Sequence, residues 1–205
     1  MCSTIRYCAF DLGGVMFANG TRALGRSELL RPEHRDGAVA LLRSPQARAL
    51  RAGTMPEEEF WRWIAPRLPD GLSGDALREA WYASYTPDHE IFRLLRELHD
   101  AGVALVAFSG NIRSRVEYLD ARHDFRRLFS HEVWSYEQGA TKPDPRFVDA
   151  LLRVLDCPAG EIAYVDDKDS ALAPALERGI RGIRYDAGEI APLRQALREL
   201  GLPVR

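Results

Sequence analysis

The stretch that decides the fold is IRYCAFDLGG, at residues 5–14. Its first six residues form a short apolar run, and the sequence DLGG follows directly, beginning at Asp11. An apolar run of this length is typical of a strand buried on both faces, as in a parallel sheet covered by helices. We therefore expect Asp11 to lie at the carboxyl end of a buried strand.

Further apolar runs of strand length occur along the chain, at residues 103–108, 132–134, 162–165 and 180–185. Other segments have apolar residues at three- and four-residue steps, the period of an amphipathic helix. The clearest of these are residues 91–98, 147–155 and 193–200. Alternating strands and helices are typical of a parallel sheet. The sequence therefore predicts an α/β fold, a Rossmann-like parallel sheet with helices on both faces.

Residues 18–86 differ from the rest because they hold no convincing strand, only helix-like segments separated by Pro and Gly. One begins near Pro56 with three glutamates in its first turn, and Thr54 is the residue expected to cap it. Another follows Ser73. We predict a helical cap domain over 18–86, inserted into an α/β core domain of residues 1–17 and 87–205. The arginine-rich stretches 43–51 and 122–127 are expected to be solvent-facing helix surfaces.

Composition narrows the function. The 205 residues are 46% hydrophobic, and Lys+Arg 28 nearly balance Asp+Glu 30, so the net charge of -2 speaks against nucleic-acid binding. No apolar run approaches the roughly 18 residues of a membrane span. The N-terminal residues do not resemble a signal peptide. The cysteines, Cys2, Cys8 and Cys157, form no CxxC pair and indicate neither a disulfide framework nor a zinc site. We expect a cytoplasmic protein without nucleic-acid or membrane partners. The sequence does not indicate its oligomeric state.

Acidic side chains follow two of the predicted strands. Asp11 ends the first strand, and Asp166 and Asp167 follow the run at 162–165. Ligands of open α/β sheets bind outside the carboxyl ends of the strands, so these carboxylates are expected to converge. Together they form a hard oxygen site suited to Mg²⁺, and Lys142, in a loop before a helix, would offset their mutual repulsion. An aspartate beside Mg²⁺ can attack phosphorus.

The second strand run ends in Ser109, Gly110 and Asn111. A hydroxyl group and backbone N–H groups ahead of a helix are suited to binding phosphate oxygens. The sequence therefore predicts a phosphate site beside the acidic one.

These motifs, taken in order, resemble those of the haloacid dehalogenase-like (HAD) phosphohydrolase superfamily. The resemblance rests on DLGGV from Asp11, on Ser109, on Lys142-Pro143 and on Asp166-Asp167, and it covers essentially the whole chain. Residues 53–60 also resemble the helical cap of its first cap class. The resemblance implies that Asp11 is the nucleophile and that Lys142 stabilises it and the phosphoryl group. It further implies phosphate binding by Ser109 and its neighbours, and Mg²⁺ binding by Asp11, the Gly13 carbonyl, Asp166 and Asp167.

Two positions depart from the family pattern. Most phosphatases of this superfamily have a second aspartate, the general acid–base, where this chain has Gly13. The candidate substitutes are a polar residue of the inserted segment, of which Asn19 is the nearest in sequence, and a metal-bound water. In the last motif Ser170 and Ala171 replace an expected acid or amide, and Asp169 is the alternative that would reach the metal's waters.

The expected function is a Mg²⁺-dependent phosphatase of a small phosphorylated metabolite, with sugar phosphates among the candidates. A non-catalytic binding or regulatory relative is the alternative, because Gly13 removes the acid. A 2-haloacid dehalogenase is a further alternative, although it would not need the acidic pair. A signalling receiver domain is excluded because there the acidic pair precedes the phosphorylated aspartate.

Overall fold

The computed structural model describes residues 4–204. Five parallel strands form one sheet in the order β3-β2-β1-β4-β5. Their bounds are β1 Tyr7–Phe10, β2 Ala104–Ser109, β3 His131–Trp134, β4 Ile162–Asp166 and β5 Arg181–Arg184. In the register, Tyr7 pairs with Ala104 on one side and with Ile162 on the other. The predicted strands and the α/β parallel fold are confirmed.

Helices lie between the strands. Their bounds are α1 Gly20–Leu24, α2 Pro32–Leu42, α3 Pro45–Ala52, α4 Glu57–Ile64, α5 Gly74–Ala83, α6 His89–Asp100, α7 Arg113–His123, α8 Ser135–Gln138, α9 Pro145–Leu155, α10 Asp169–Glu177 and α11 Ile190–Glu199. Short 3₁₀ turns occur at Ala65–Arg67, Arg126–Leu128 and Ala159–Glu161. Between β1 and β2 the chain forms helices α1 to α6, and no strand interrupts this described stretch.

Five of the eleven helices in the described chain begin with a side-chain cap, from Asn19, Ser44, Ser73, Asp88 and Asp144. Asp88 accepts hydrogen bonds from two N–H groups at the start of α6, and Ser73 Oγ accepts one at the start of α5, the helix predicted to follow Ser73. The expectation for Thr54 is wrong. Helix α4 begins after Pro56 without a side-chain cap, and the Thr54 hydroxyl donates instead to the Ala49 carbonyl. The competing acceptor lies at the end of α3, which leaves its last carbonyl groups unpaired within the helix.

Two hydrophobic clusters cover the two faces of the sheet. Along β1, Cys8 and Phe10 belong to the first cluster and Ala9 to the second, as the alternation of a strand requires. The first cluster continues into the inserted helices through residues such as Phe60 and Trp81. These helices therefore pack into one core with the sheet, and the division of the chain at residues 17 and 87 stays a prediction.

Within residues 4–204 no helix is both long and apolar enough to cross a membrane. Cys8 and Cys157 are free thiols. Burial inside β1 raises the pKa of the Cys8 thiol, which makes it a core side chain and not a nucleophile. Cys2 lies outside the described residues.

Candidate active site

Three carboxylates meet at the carboxyl edge of the sheet. Asp11 follows β1, Asp166 ends the adjacent strand β4, and Asp167 comes next. The Asp11 N–H donates to the Val165 carbonyl at 3.0 Å, which continues the strand pairing up to the site. One oxygen atom from each carboxylate lies within 4.8 Å of the others. A set of three closely spaced carboxylate oxygens fits a hard divalent cation such as Mg²⁺.

The loop after Asp11 is built to let Asp167 approach. Gly14 has a φ of +100°, and a Cβ atom at this position would lie 2.4 Å from the Asp167 carboxyl group. A side chain is therefore excluded here twice, by the backbone conformation and by the carboxylate. Geometry thus explains why the second glycine of the DLGG stretch, Gly14, is a glycine.

Lys142 joins the carboxylates as expected. Its Nζ atom lies 2.9 Å from Asp11 Oδ1 and 2.6 Å from Asp166 Oδ2, and its side chain is only 12% exposed. The Tyr164 hydroxyl also donates to Asp166. The second lysine, Lys168, lies 2.6 Å from Asp167 Oδ1. Two cations thus offset the repulsion among the three acids.

The two central carboxylates have opposite pKa shifts. Burial raises the pKa of Asp11 because it disfavours the charged form, and nearby Lys142 offsets only part of this effect. Burial also acts on Asp166, but the charge of Lys142 and hydrogen bonds from Lys142 and Tyr164 outweigh it and lower the pKa of that carboxyl group. A divalent cation beside Asp11 would favour its carboxylate form, which is the form that can act as a nucleophile.

The loop after β2 offers groups for an oxyanion. Ser109 Oγ is buried and makes no hydrogen bond within residues 4–204, and the Gly110 N–H makes none within the same range. A Cβ atom on Gly110 would lie 2.6 Å from Thr141 Oγ1, so only glycine fits there. The expectation of a free backbone N–H at Asn111 is wrong, because it donates to Ser135 Oγ at 3.0 Å. The Asn111 side chain still lines the cavity.

The space beside Gly13 is filled by an aromatic ring. A Cβ atom on Gly13 would lie 3.2 Å from Cε1 of Tyr85, the residue just after α5 and its C-cap Ser84. Gly20 makes room for the opposite edge of this ring, since its Cβ would come within 2.0 Å of Tyr85 Cε2. The inserted helices thus bring Tyr85 to the place where a side chain at residue 13 would begin.

Two residues suggested as substitutes are engaged elsewhere. Asn19 is the N-cap of α1 and accepts from the Arg22 N–H, although it also lines the cavity. Asp169 does not join the acidic cluster. It is paired with Arg184 of β5 at 2.8 Å, because the first turn of α10 directs it towards that neighbouring strand.

Comparison with known proteins agrees with this geometry. The family model of the haloacid dehalogenase-like hydrolases matches residues 5–178. The chain belongs to this family. A protein from Dictyostelium discoideum without an assigned activity is 31% identical over 224 residues, which cover 94% of this chain and 96% of that protein.

Relatives of this HAD-like hydrolase include named enzymes. The sesquiterpene phosphatase astK of Aspergillus oryzae is 25% identical over 186 residues, covering 89% of this chain and 91% of that protein. The HAD family enzyme bt-2542 of Bacteroides thetaiotaomicron, in complex with magnesium and inorganic phosphate, has a TM-score of 0.72 at 18% identity, covering 90% and 96%. The L-2-haloacid dehalogenase of Xanthobacter autotrophicus has a TM-score of 0.67 at 19% identity, covering 96% and 88%. At these identities the structures show a shared fold.

A cavity of about 420 Å³ opens above Asp11 in this HAD-like hydrolase. Six basic side chains but only two carboxylates line it: Arg22, Arg43, Arg51, Arg115, Lys142 and Lys168, against Asp11 and Asp166. The expectation that stretch 43–51 is a purely solvent-facing surface is therefore wrong. Arg51 is half-buried because α3 packs against α8 and directs it into the cavity.

Sequence reasoning missed Tyr85 and Arg115. Arg115 lies between Ile112 and Val116, both buried, on the apolar face of α7, and is itself 1% exposed. An arginine on the buried face of a helix that follows a site loop is the signal that could have identified it. Tyr85 carries no such signal, because its position depends on how the inserted helices pack.

Proposed function

We propose that this protein is a Mg²⁺-dependent phosphatase of a small phosphorylated metabolite that acts through a phosphoryl group on Asp11. One observation carries the proposal. Lys142 contacts both Asp11 and Asp166 at the edge of a triangle of carboxylates, beside a buried Ser109 hydroxyl without a partner in the described chain. This combination suits an oxyanion and a divalent cation held next to one carboxylate nucleophile.

In the first step an Asp11 oxygen attacks phosphorus. The bond from phosphorus to the substrate oxygen breaks, its electron pair stays on the departing oxygen, and that oxygen takes a proton from water. Ser109 Oγ and the Gly110 N–H bind the phosphoryl oxygens, and Lys142 holds the Asp11 carboxylate in place. Bound by Asp11, Asp166, Asp167 and the Gly13 carbonyl, Mg²⁺ would supply positive charge to the phosphoryl group.

In the second step water attacks the phosphorus of phospho-Asp11. The bond to the Asp11 oxygen breaks, which restores the carboxylate and releases inorganic phosphate. Gly13 offers no acid for the leaving group, and general acid–base help is worth about 10²–10⁴-fold in rate. The site therefore suits substrates whose leaving oxygen departs with little need of a proton, such as a sugar 1-phosphate or a diphosphate.

The relatives support this reading in their own terms. One is named a sesquiterpene phosphatase, and another crystallised with magnesium and inorganic phosphate. A dehalogenase, in which the aspartate attacks carbon and no metal is needed, would leave Asp166 and Asp167 without a function. The acidic triangle therefore favours phosphoryl transfer.

The test is phosphate release from a panel of phosphorylated metabolites, with Mg²⁺ and with a chelator. We expect Mg²⁺-dependent release that falls by more than about 10³-fold in Asp11→Asn, because the nucleophile is lost. Asp169→Asn is the matched control, since Asp169 is exposed and pairs with Arg184, and it should retain wild-type rates.

Three results would overturn the proposal. Metal-independent halide release from 2-haloacids would make the protein a dehalogenase. Full activity in Asp11→Asn would show that Asp11 is not the nucleophile. Absence of release from the whole panel, sugar 1-phosphates and diphosphates included, would favour a non-catalytic binding protein.

A further inference from the structure

Arg115 is a buried cation without an anionic partner in the described chain. Its side chain is 1% exposed, and no Asp or Glu of residues 4–204 pairs with it. Its Nε atom donates to Asn111 Oδ1 at 2.7 Å, whereas its Nη1 atom is buried and has no hydrogen-bond partner within the same residues. A buried, unpaired guanidinium nitrogen is costly unless something binds it.

Two aromatic rings contact this guanidinium group beside the cavity. Its Cζ atom lies 4.5 Å from the ring centre of Trp81 and 4.3 Å from that of Tyr85. Tyr85 in turn reaches the Asp11 loop at Gly13. Tyr85 therefore contacts both Arg115 and the loop of the proposed nucleophile, and Arg115 and Asp11 line the same cavity.

Arg51 extends this positive region and is held by the same hydrogen bonds. Its carbonyl accepts from Ser135 Oγ at 2.5 Å, and Ser135 Oγ accepts from the Asn111 N–H, while the Asn111 side chain binds Arg115. Burial and the charge of Arg115 lower the pKa of Arg51 to about 10. Two arginines thus face one cavity, and neither pairs with a carboxylate of residues 4–204.

We propose that Arg115 and Arg51 form a second anion subsite, which binds an oxyanion of the substrate other than the phosphoryl group transferred to Asp11. The inference rests on the proposed function for the role of Asp11. It narrows the substrate class to phosphate esters with a further phosphoryl or carboxylate group, such as diphosphates and phosphocarboxylic acids. Guanidinium groups suit both because their paired N–H donors match two oxygens at once.

The test measures binding without chemistry. Inorganic phosphate, pyrophosphate and phosphoglycolate are titrated calorimetrically into the Asp11→Asn protein at fixed free Mg²⁺. We expect pyrophosphate or phosphoglycolate to bind about 10- to 100-fold more tightly than phosphate, as hydrogen bonds to a charged group would give. Which of the two binds more tightly identifies the second group as phosphoryl or carboxylate.

Adding Arg115→Gln should remove this preference and change phosphate affinity by less than about threefold. Arg113→Gln is the control, because Arg113 lies on the same helix but is exposed and paired with Glu137; it should preserve the preference. If Arg115→Gln melts at a lower temperature than the Asp11→Asn protein, Arg51→Gln is used instead to test whether the preference depends on the two arginines.

Equal binding of the three probes by the Asp11→Asn protein would overturn the proposal. An equal loss of phosphate and pyrophosphate affinity in Arg115→Gln would also overturn it, since that result indicates a packing role. These outcomes are independent of turnover. A wild-type protein that releases no phosphate would refute the phosphatase and leave an Arg115-dependent preference standing.

Discussion

The cavity has two sides that are built differently. At its floor lies a cluster of residues at strand ends or in a loop beside them: Asp11, Ser109, Lys142 and Asp166, which line the cavity, and Asp167, which adjoins them just outside its lining. Its wall consists of Arg51, Tyr85 and Arg115, with Trp81 behind Arg115; these residues come from three helices and one loop that pack over the sheet. Each carboxylate of the floor is paired with a lysine, Lys142 or Lys168, whereas the arginines of the wall pair with no carboxylate of the described chain.

This difference suggests a division of work. The floor can bind a phosphoryl group and a cation whatever the rest of the substrate is, because the strand ends fix the positions of its charged side chains. An uncompensated wall needs an anion from outside. We therefore expect substitutions in the floor to affect the rate on every substrate, and substitutions in the wall to affect which substrate binds.

Apart from loss of the nucleophile Asp11 itself, the largest effect is expected for Lys142→Met. Removal of the cation between Asp11 and Asp166 leaves two buried carboxylates without an ion-pair partner and withdraws positive charge from the transferred group. We predict a loss of about 10²–10³-fold in kcat/KM, measured by steady-state phosphate release. Arg146→Gln, which removes an exposed ion pair near the start of α9, should leave kcat/KM unchanged. A rate in Lys142→Met close to that of the wild type would show that Lys142 does not contribute to catalysis.

Gly14→Ala should be next in size. The new methyl group would meet the Asp167 carboxyl group at 2.4 Å, and the backbone has a φ of +100°. We expect unfolding in urea to show a loss of about 3 kcal/mol or more. Gly188→Ala isolates the backbone part, because its φ is +90° with nothing within 4 Å, and should cost about 1 kcal/mol. Equal losses in both variants would mean that Asp167 moves freely and does not define the floor.

The loop after Asp11 meets the wall where Gly13 faces the Tyr85 ring. A double-mutant cycle measures the contact between these two residues. Gly13→Asp alone should lower stability by about 1–3 kcal/mol, because its Cβ would press on the Tyr85 ring. In a Tyr85→Ala background the same change should cost less than half as much. Additive effects in urea unfolding would show that the ring does not occupy this space.

The smallest effect concerns the attachment of the wall. Glu57 of α4 accepts hydrogen bonds from Ser114 of α7 and from Tyr82 of α5, so one carboxylate ties three helices together. Glu57→Gln should lower the free energy of unfolding by about 1 kcal/mol. The neighbouring Glu58 is exposed, and Glu58→Gln should cause no measurable change. A loss in both variants alike would assign the effect to helix α4 itself.

The floor was predictable from the sequence, whereas of the wall only Arg115 carried a signal, for a physical reason. Parallel strands end at one edge of a sheet, so short apolar runs followed by Asp11, Ser109 and Asp166 suffice to bring these residues together. Tyr85 and Arg51 reach the cavity only through the packing of the inserted helices, which periodicity does not specify. Local competition also escaped prediction, as at Thr54, whose hydroxyl donates to Ala49 instead of capping α4.

The central claim is that Asp11 takes the phosphoryl group, and trapping tests it most directly. The wild-type protein is mixed with its best substrate and Mg²⁺, quenched in acid within one turnover, and digested for mass spectrometry. We predict a phosphoryl adduct on the peptide that contains Asp11, absent without Mg²⁺ and absent in Asp11→Asn. A phosphoryl group on a different peptide, with the Asp11 peptide unmodified while phosphate is being released, would contradict the account.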